Sequence, residues 1–159
     1  MRTISVVTDI AAPAEAVWAH IAATSDYPDW NPFITALRGD LVVGGRLEIR
    51  IAPPGGRAMT FRPVVTAVVE GARLEWLGRL GLPGVVDGRH SFQLEPKGDG
   101  GTRLTQAEDF SGVLVPLMPS VLKRTRVGFE QLNEALRVRA EQYTSPRRDR
   151  SWESDGHGL

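Results

Sequence analysis

The sequence predicts an α+β fold, an antiparallel sheet curved around one long C-terminal helix. Three observations predict it. Met118, Leu122, Thr125, Phe129, Leu132, Leu136 and Ala140 fall on one side of a helix, and Lys123, Glu130, Glu134 and Glu141 on the other; the 3.6-residue period holds for about six turns. Upstream, apart from two brief helical pieces, the chain breaks into short extended segments separated by Gly and Pro. Those segments follow one another on short turns, which implies antiparallel pairing, and the amphipathic helix that closes them needs a sheet to bury its stripe.

Taken in order, Thr3 to Ile10 is a strand with Ile4, Val6 and Ile10 on one face. Pro13 opens a helix, where its missing N–H is tolerated, with Val17, Trp18 and Ile21 as the apolar side. Thr24, Ser25 and Asp26 are expected to cap a second short turn carrying Tyr27, Trp30 and Phe33, which Asn31-Pro32 ends. Strands are expected at Ile34 to Val42 and Arg46 to Ala52, turning at Gly44-Gly45. Beyond the Pro53 to Gly56 loop, Met59 to Glu70 is expected as one long strand with an edge or bulge at Pro63. Arg73 to Leu80 follows, and Val85 to Glu95 with Thr102 to Ser111 makes a last hairpin around Pro96 to Gly101. The long helix starts between Pro116 and Ser120. Residues 1–143 are expected to form one domain. Residues 144–159 are expected to form a polar tail without fixed structure.

Composition narrows the function classes. The chain of 159 residues suits one core, and equal numbers of basic and acidic residues, 19 each, give no global attraction to nucleic acid. Seventeen of the basic residues are Arg, scattered along the chain. The absence of Cys excludes disulfides, thiolate metal sites and Cys nucleophiles. No apolar stretch approaches the ~18 residues of a membrane span, and no leader pattern opens the chain; the expected location is cytoplasmic. His20, His90 and His157 lie on a helix, a strand and the tail with no ligand spacing, so no metal is expected. No phosphate loop or nucleophile elbow is present, and no cofactor is expected.

Several strings carry a resemblance: Ala12-Pro13-Ala14-Glu15 with Val17-Trp18, then Asp26-Tyr27-Pro28-Asp29-Trp30-Asn31-Pro32-Phe33-Ile34, Phe61-Arg62-Pro63-Val64-Val65, Leu74-Glu75-Trp76, and Gly101-Thr102-Arg103-Leu104-Thr105-Gln106 with Phe110 and Gly112. With the element order, they make residues 3 to 142 resemble the START/polyketide-cyclase superfamily (SRPBCC), which includes the Bet v 1-like pollen allergens. The resemblance implies a helix-grip fold, a seven-stranded antiparallel sheet curled around the C-terminal helix over a deep, mostly apolar cavity. It also implies a small hydrophobic ligand such as a lipid, sterol, hormone or aromatic polyketide. Family members include carriers, receptors, co-chaperones and cyclases, so function is argued from the site.

Period-two alternation assigns the sheet faces. Leu74, Trp76, Gly78 and Leu80 share one face, against Arg73, Glu75 and Arg79. Gly88, His90, Phe92 and Leu94 share a face of the next strand, and Leu104, Gln106, Glu108 and Phe110 a face of the last. The inward set thus holds three polar residues, His90, Gln106 and Glu108. Pairing Glu95 with Gly101 sets His90 opposite Gln106 and diagonal to Glu108; a two-residue shift sets His90 directly across from Glu108. Such a cluster can orient a ligand, serve as an acid–base pair, or be a satisfied core group.

The expected ligand-binding set is Trp30, Phe33, Trp76, Gly78, His90, Phe92, Gln106, Glu108, Phe110, Met118, Leu122, Thr125 and Phe129. Leu132, Leu136 and Ala140 are expected as core, Gly128 at the stripe's edge to allow close approach, and Thr125 to face the polar cluster. Trp18 and Trp30 equally suit locking the short helices to the sheet. Three functions follow: a binding protein for a small hydrophobic molecule; a polyketide cyclase or dehydratase with His90 and Glu108 as acid–base pair; or a co-chaperone-like interaction protein, for which Val127 and Val138 on the outer helix face are candidate contacts. The expected partner is the ligand, with a monomer or weak homodimer and no nucleic acid.

Overall fold

The computed structural model describes residues 1–144. Strand β1 (Arg2–Ile10) leads into helix α1 (Ala14–Ala22), a 3-10 turn (Thr24–Asp26) and the single-turn helix α2 (Tyr27–Trp30). Strands β2 (Ile34–Arg38), β3 (Glu48–Ile51) and β4 (Met59–Phe61) pair antiparallel in that order. Strands β5 (Val64–Val69), β6 (Arg73–Leu80), β7 (Val86–Pro96) and β8 (Thr102–Ser111) join β1 in a second antiparallel ladder, ordered β1-β8-β7-β6-β5. A 3-10 turn (Val115–Leu117) precedes helix α3 (Pro119–Thr144), which closes the described chain. The fold is the expected α+β helix grip, with eight strands in place of seven among the described residues.

The extra strand comes from Pro63. The segment expected as one strand splits into β4 and β5 on either side of it, because proline has no N–H for a ladder. The Pro63 carbonyl accepts a bond from Leu47 N–H at 2.9 Å, Gly44 N–H reaches Val65 O at 2.8 Å, and Arg46 bridges Val64. These bonds stitch the two ladders into one curved surface.

The helical stripe is buried as its period demands. Thr125, Phe129, Leu132, Leu136 and Ala140 turn inward, joined by Gly128 and Asn133; burying one such Leu or Phe side chain contributes about 1.5–3 kcal/mol. Asn133, unforeseen in the stripe, directs its amide Nδ2 to Val6 O at 3.4 Å and Thr8 Oγ1 at 3.2 Å, tying α3 to β1. The close approach at Gly128 is made by a side chain of the protein: a Cβ there would overlap the Phe33 ring.

The short helices are fixed differently from expectation. Ala16 and Val17 N–H bond to Pro13 O at 3.0 and 3.1 Å, but Thr24, Ser25 and Asp26 supply no capping bond to α2. Instead Asn31 Oδ1 accepts from Phe33 N–H at 3.0 Å and Ile34 N–H at 2.8 Å, turning the chain into β2. Tyr27 donates its hydroxyl to Ile21 O at 2.7 Å, locking α2 to α1. Of the tail expected over residues 144–159, Thr144 is the last residue of α3, and the rest, with Arg147, Arg148 and Arg150, lies outside the described residues.

Candidate functional site

The inner face of the large sheet is organised in cross-strand rows. One row runs Val65, Trp76, His90, Glu108 and Ile4, each opposite the next on antiparallel neighbours. The next row holds Gly78, Gly88 and Phe110. Two adjacent glycines leave the sheet bare where side chains would otherwise fill it. The Glu108 carboxylate leans over Gly88, into space that a Cβ would occupy.

Above this bare patch lies a cavity of about 290 Å³ between the sheet and α3. Its walls are mostly apolar: Phe33, Ile49, Ile51, Phe61, Trp76, Val86, Phe110 and Met118. Glu108 supplies the one carboxylate of the lining, and Thr125 faces in from α3. The Thr125 hydroxyl donates to Val121 O at 2.9 Å, so toward the cavity it offers only acceptor capacity.

The register of the last hairpin is the shifted one: His90 stands directly opposite Glu108, and Phe92 opposite Gln106. His90 is 4% exposed and stacks flat on Trp76, with ring centroids 4.6 Å apart and planes 5° from parallel. Phe92 and Phe129 meet the imidazole edge-on at 4.9 and 5.0 Å. Its Nε2 lies 3.3 Å from Gln106 Nε2, and its Nδ1 lies 3.6 Å from Glu108 Oε2. The second distance exceeds a hydrogen bond. Gln106 Oε1 is buried without a partner.

Of the residues expected at a ligand, Phe33, Trp76, Gly78, Glu108, Phe110, Met118 and Thr125 line the cavity. His90, Phe92, Gln106 and Phe129 are not part of that lining and are fully or almost fully buried. Leu122 is half-buried against the core. Trp30 lines a shallow groove outside α3 with Pro32, Val127 and Val138. Alternation puts Leu47, Ile49 and Ile51 on one face of their strand, but the expected ligand-binding set did not include the wall that Ile49 and Ile51 of β3 make with Met59 and Phe61 of β4. That set also missed Arg57, Arg79 and Arg124, which line the cavity from three different elements.

Among the described residues no group of His, Asp or Glu is placed to hold a metal ion, and no helix is long and apolar enough to cross a membrane. Residues 1–141 match the family described as polyketide cyclase/dehydrase and lipid transport. No curated protein matches the chain. A START superfamily protein from Mycobacterium smegmatis superposes with a TM-score of 0.71 at 24% identity, over 89% of this chain and 99% of its own. A Mesorhizobium loti protein gives a TM-score of 0.71 at 22% identity, over 91% of this chain and 100% of its own. The Zhui aromatase/cyclase of a Streptomyces species gives 0.71 at 16% identity, over 91% and 96%. At these identities the likeness is one of fold.

Proposed function

Because the chain belongs to the polyketide cyclase/dehydrase and lipid transport family, we propose that it binds a small hydrophobic molecule, a lipid, an aromatic polyketide or one of similar shape, between the sheet and α3. The observation that carries this is the cavity itself, about 290 Å³, walled mostly by apolar side chains with one carboxylate and three arginines in its lining. Transfer of apolar surface from water to such walls drives binding at about 25 cal/mol per Å², and a small number of polar groups orients the molecule. Native mass spectrometry of protein from its own host is expected to show a bound small molecule. N-phenyl-1-naphthylamine is expected to brighten on binding the purified protein. Protein that carries nothing and leaves the dye dark would end this reading.

One observation favours a second reading, a cyclase or dehydratase. His90 Nδ1 and Glu108 Oε2 stand 3.6 Å apart, close enough to share a proton through a small movement. Only Glu108 of the two lines the cavity. In this reading Glu108 touches the substrate, and His90, held by Trp76 and Gln106, positions it. Glu108→Gln is then expected to abolish turnover of an identified substrate while leaving its affinity largely intact; unchanged turnover would remove the assignment.

A further inference from the structure

The cavity lining is as notable for its charge as for its walls. It holds three arginines, Arg57, Arg79 and Arg124, and one glutamate, Glu108, in a chain whose basic and acidic residues balance at 19 each. The three come from the β3–β4 loop, the end of β6 and the second turn of α3, so the fold gathers what the sequence scatters. Arg79 is engaged by Asp87 at 3.6 Å. Arg57 and Arg124 form no ion pair among the described residues. Both are exposed, whereas the Glu108 side chain is 18% exposed. The arginines therefore stand at the mouth, with the glutamate further in.

Helix α3 adds a second observation. Its first three turns carry Lys123, Arg124 and Arg126 and no acidic residue; the first acid is Glu130. The stretch that lines the cavity here, from Met118 to Thr125, therefore sets no acidic side chain against a negative charge brought to the mouth from outside.

We infer that the cavity takes a hydrophobic molecule bearing one anionic group, a carboxylate or phosphate, which Arg57 and Arg124 hold at the mouth with Arg79 beside them. This rests on the reading of the cavity as a ligand site. Charge sets the orientation. A second anion near Glu108 would be repelled, so the charged head lies at the arginines and the apolar body over Gly78, Gly88 and Trp76. Guanidinium groups suit this task because they offer paired donors to a planar carboxylate or a phosphate.

Decanoate and decanol, titrated as displacers of N-phenyl-1-naphthylamine, test it. Decanoate is expected to bind about fivefold tighter than decanol, the scale of a partly exposed charge-assisted contact. That ratio is expected to fall toward one in Arg57→Gln/Arg124→Gln, and also in the unaltered protein as salt is raised, because screening weakens exposed pairs. The salt series keeps the test decisive if the double variant fails to fold. Equal affinities for acid and alcohol would overturn the anion while leaving the cavity as a ligand site. Dye that fails to bind at all would overturn both. Co-sedimentation with phosphatidylglycerol against phosphatidylcholine vesicles separates the sources: a decanoate preference joined by a phosphatidylglycerol preference points to a membrane lipid, and a decanoate preference alone to a free amphiphile.

Discussion

Glu75 and Glu108 stand on strands β6 and β8 of the same sheet, Glu75 on the outer face and Glu108 on the inner. Both oxygens of Glu75 are taken. Thr66 Oγ1 and Arg89 Nη1 each donate to Oε1 at 2.7 Å, and Arg73 Nη2 donates to Oε2 at 2.5 Å. Burial pushes the Glu75 carboxyl pKa up, but these three donors outweigh it and draw it down to about 2. Glu108 accepts no hydrogen bond among the described residues, has His90 at 3.6 Å, and turns its carboxylate over Gly88 into the cavity. A carboxylate whose lone pairs are filled by the protein has nothing left to offer a ligand. One left open beside a cavity does.

The same substitution at the two positions separates these roles, and the larger effect belongs to the outer face. Glu75→Gln removes two ion pairs and sets an amide NH₂ against Thr66 and two guanidinium groups. The drop in pKa from 4.5 to about 2 corresponds to about 3 kcal/mol of stability. Because Arg73 and Arg89 are each 45% exposed, solvent screening reduces this to about 2 kcal/mol. A loss of that size at neutral pH is expected in urea unfolding. The sign with pH follows from the lowered pKa: the contribution is complete above about 4.5 and disappears as pH falls through about 2. The gap between the two proteins should therefore close over that window; a gap that holds constant to pH 2 would show that packing, not charge, was lost.

Glu108→Gln sharpens the contrast from the other side. It keeps the shape of the side chain and removes a charge that the protein hardly engages. Stability is expected to change by less than about 1 kcal/mol, while binding or turnover changes through the cavity. A loss as large as that at Glu75 would show Glu108 to be a structural charge held by His90, and would weaken its place in the site.

How far these features were legible in the sequence follows from what periodicity encodes. Alternation placed Trp76, Gly78, Glu108 and Phe110 on the inner face, and the cavity is built on them. It could not choose the hairpin register, because a two-residue slip leaves every side chain on its own face. The choice was made in the turn, where Lys97 N–H bonds Gly101 O at 2.8 Å, Asp99 Oδ1 caps Gly101 N–H at 2.9 Å, and Pro96 pairs with Thr102. Alternation also put Arg79 on the outer face, although its long side chain at the end of β6 reaches the cavity lining. The gathering of Arg57, Arg79 and Arg124 depends on tertiary structure alone. So does the burial of His90: facing inward told its side of the sheet, but not that Trp76, Phe92 and Phe129 would close around its ring.

The smallest effect is expected at Gln106, the buried residue between these two situations. Its amide gives one bond to His90 Nε2 at 3.3 Å, and its Oε1 has no partner. Gln106→Met, similar in length, removes an unsatisfied acceptor and at the same time takes a donor from His90. A buried neutral hydrogen bond contributes about 0.5–1.5 kcal/mol, and an unsatisfied polar atom costs about 1–3 kcal/mol. The two terms oppose each other, so the urea midpoint is expected to move by less than about 1 kcal/mol in equivalent stability. With the amide gone, His90 loses its polar contact at Nε2, and the ring beside Glu108 is held less firmly. The expected signature is thus a change in ligand binding or turnover at nearly unchanged stability. A stability loss above about 2 kcal/mol would instead show that Oε1 is satisfied in solution, by a buried water, and that Gln106 belongs with Glu75 among the groups whose hydrogen bonds hold the fold.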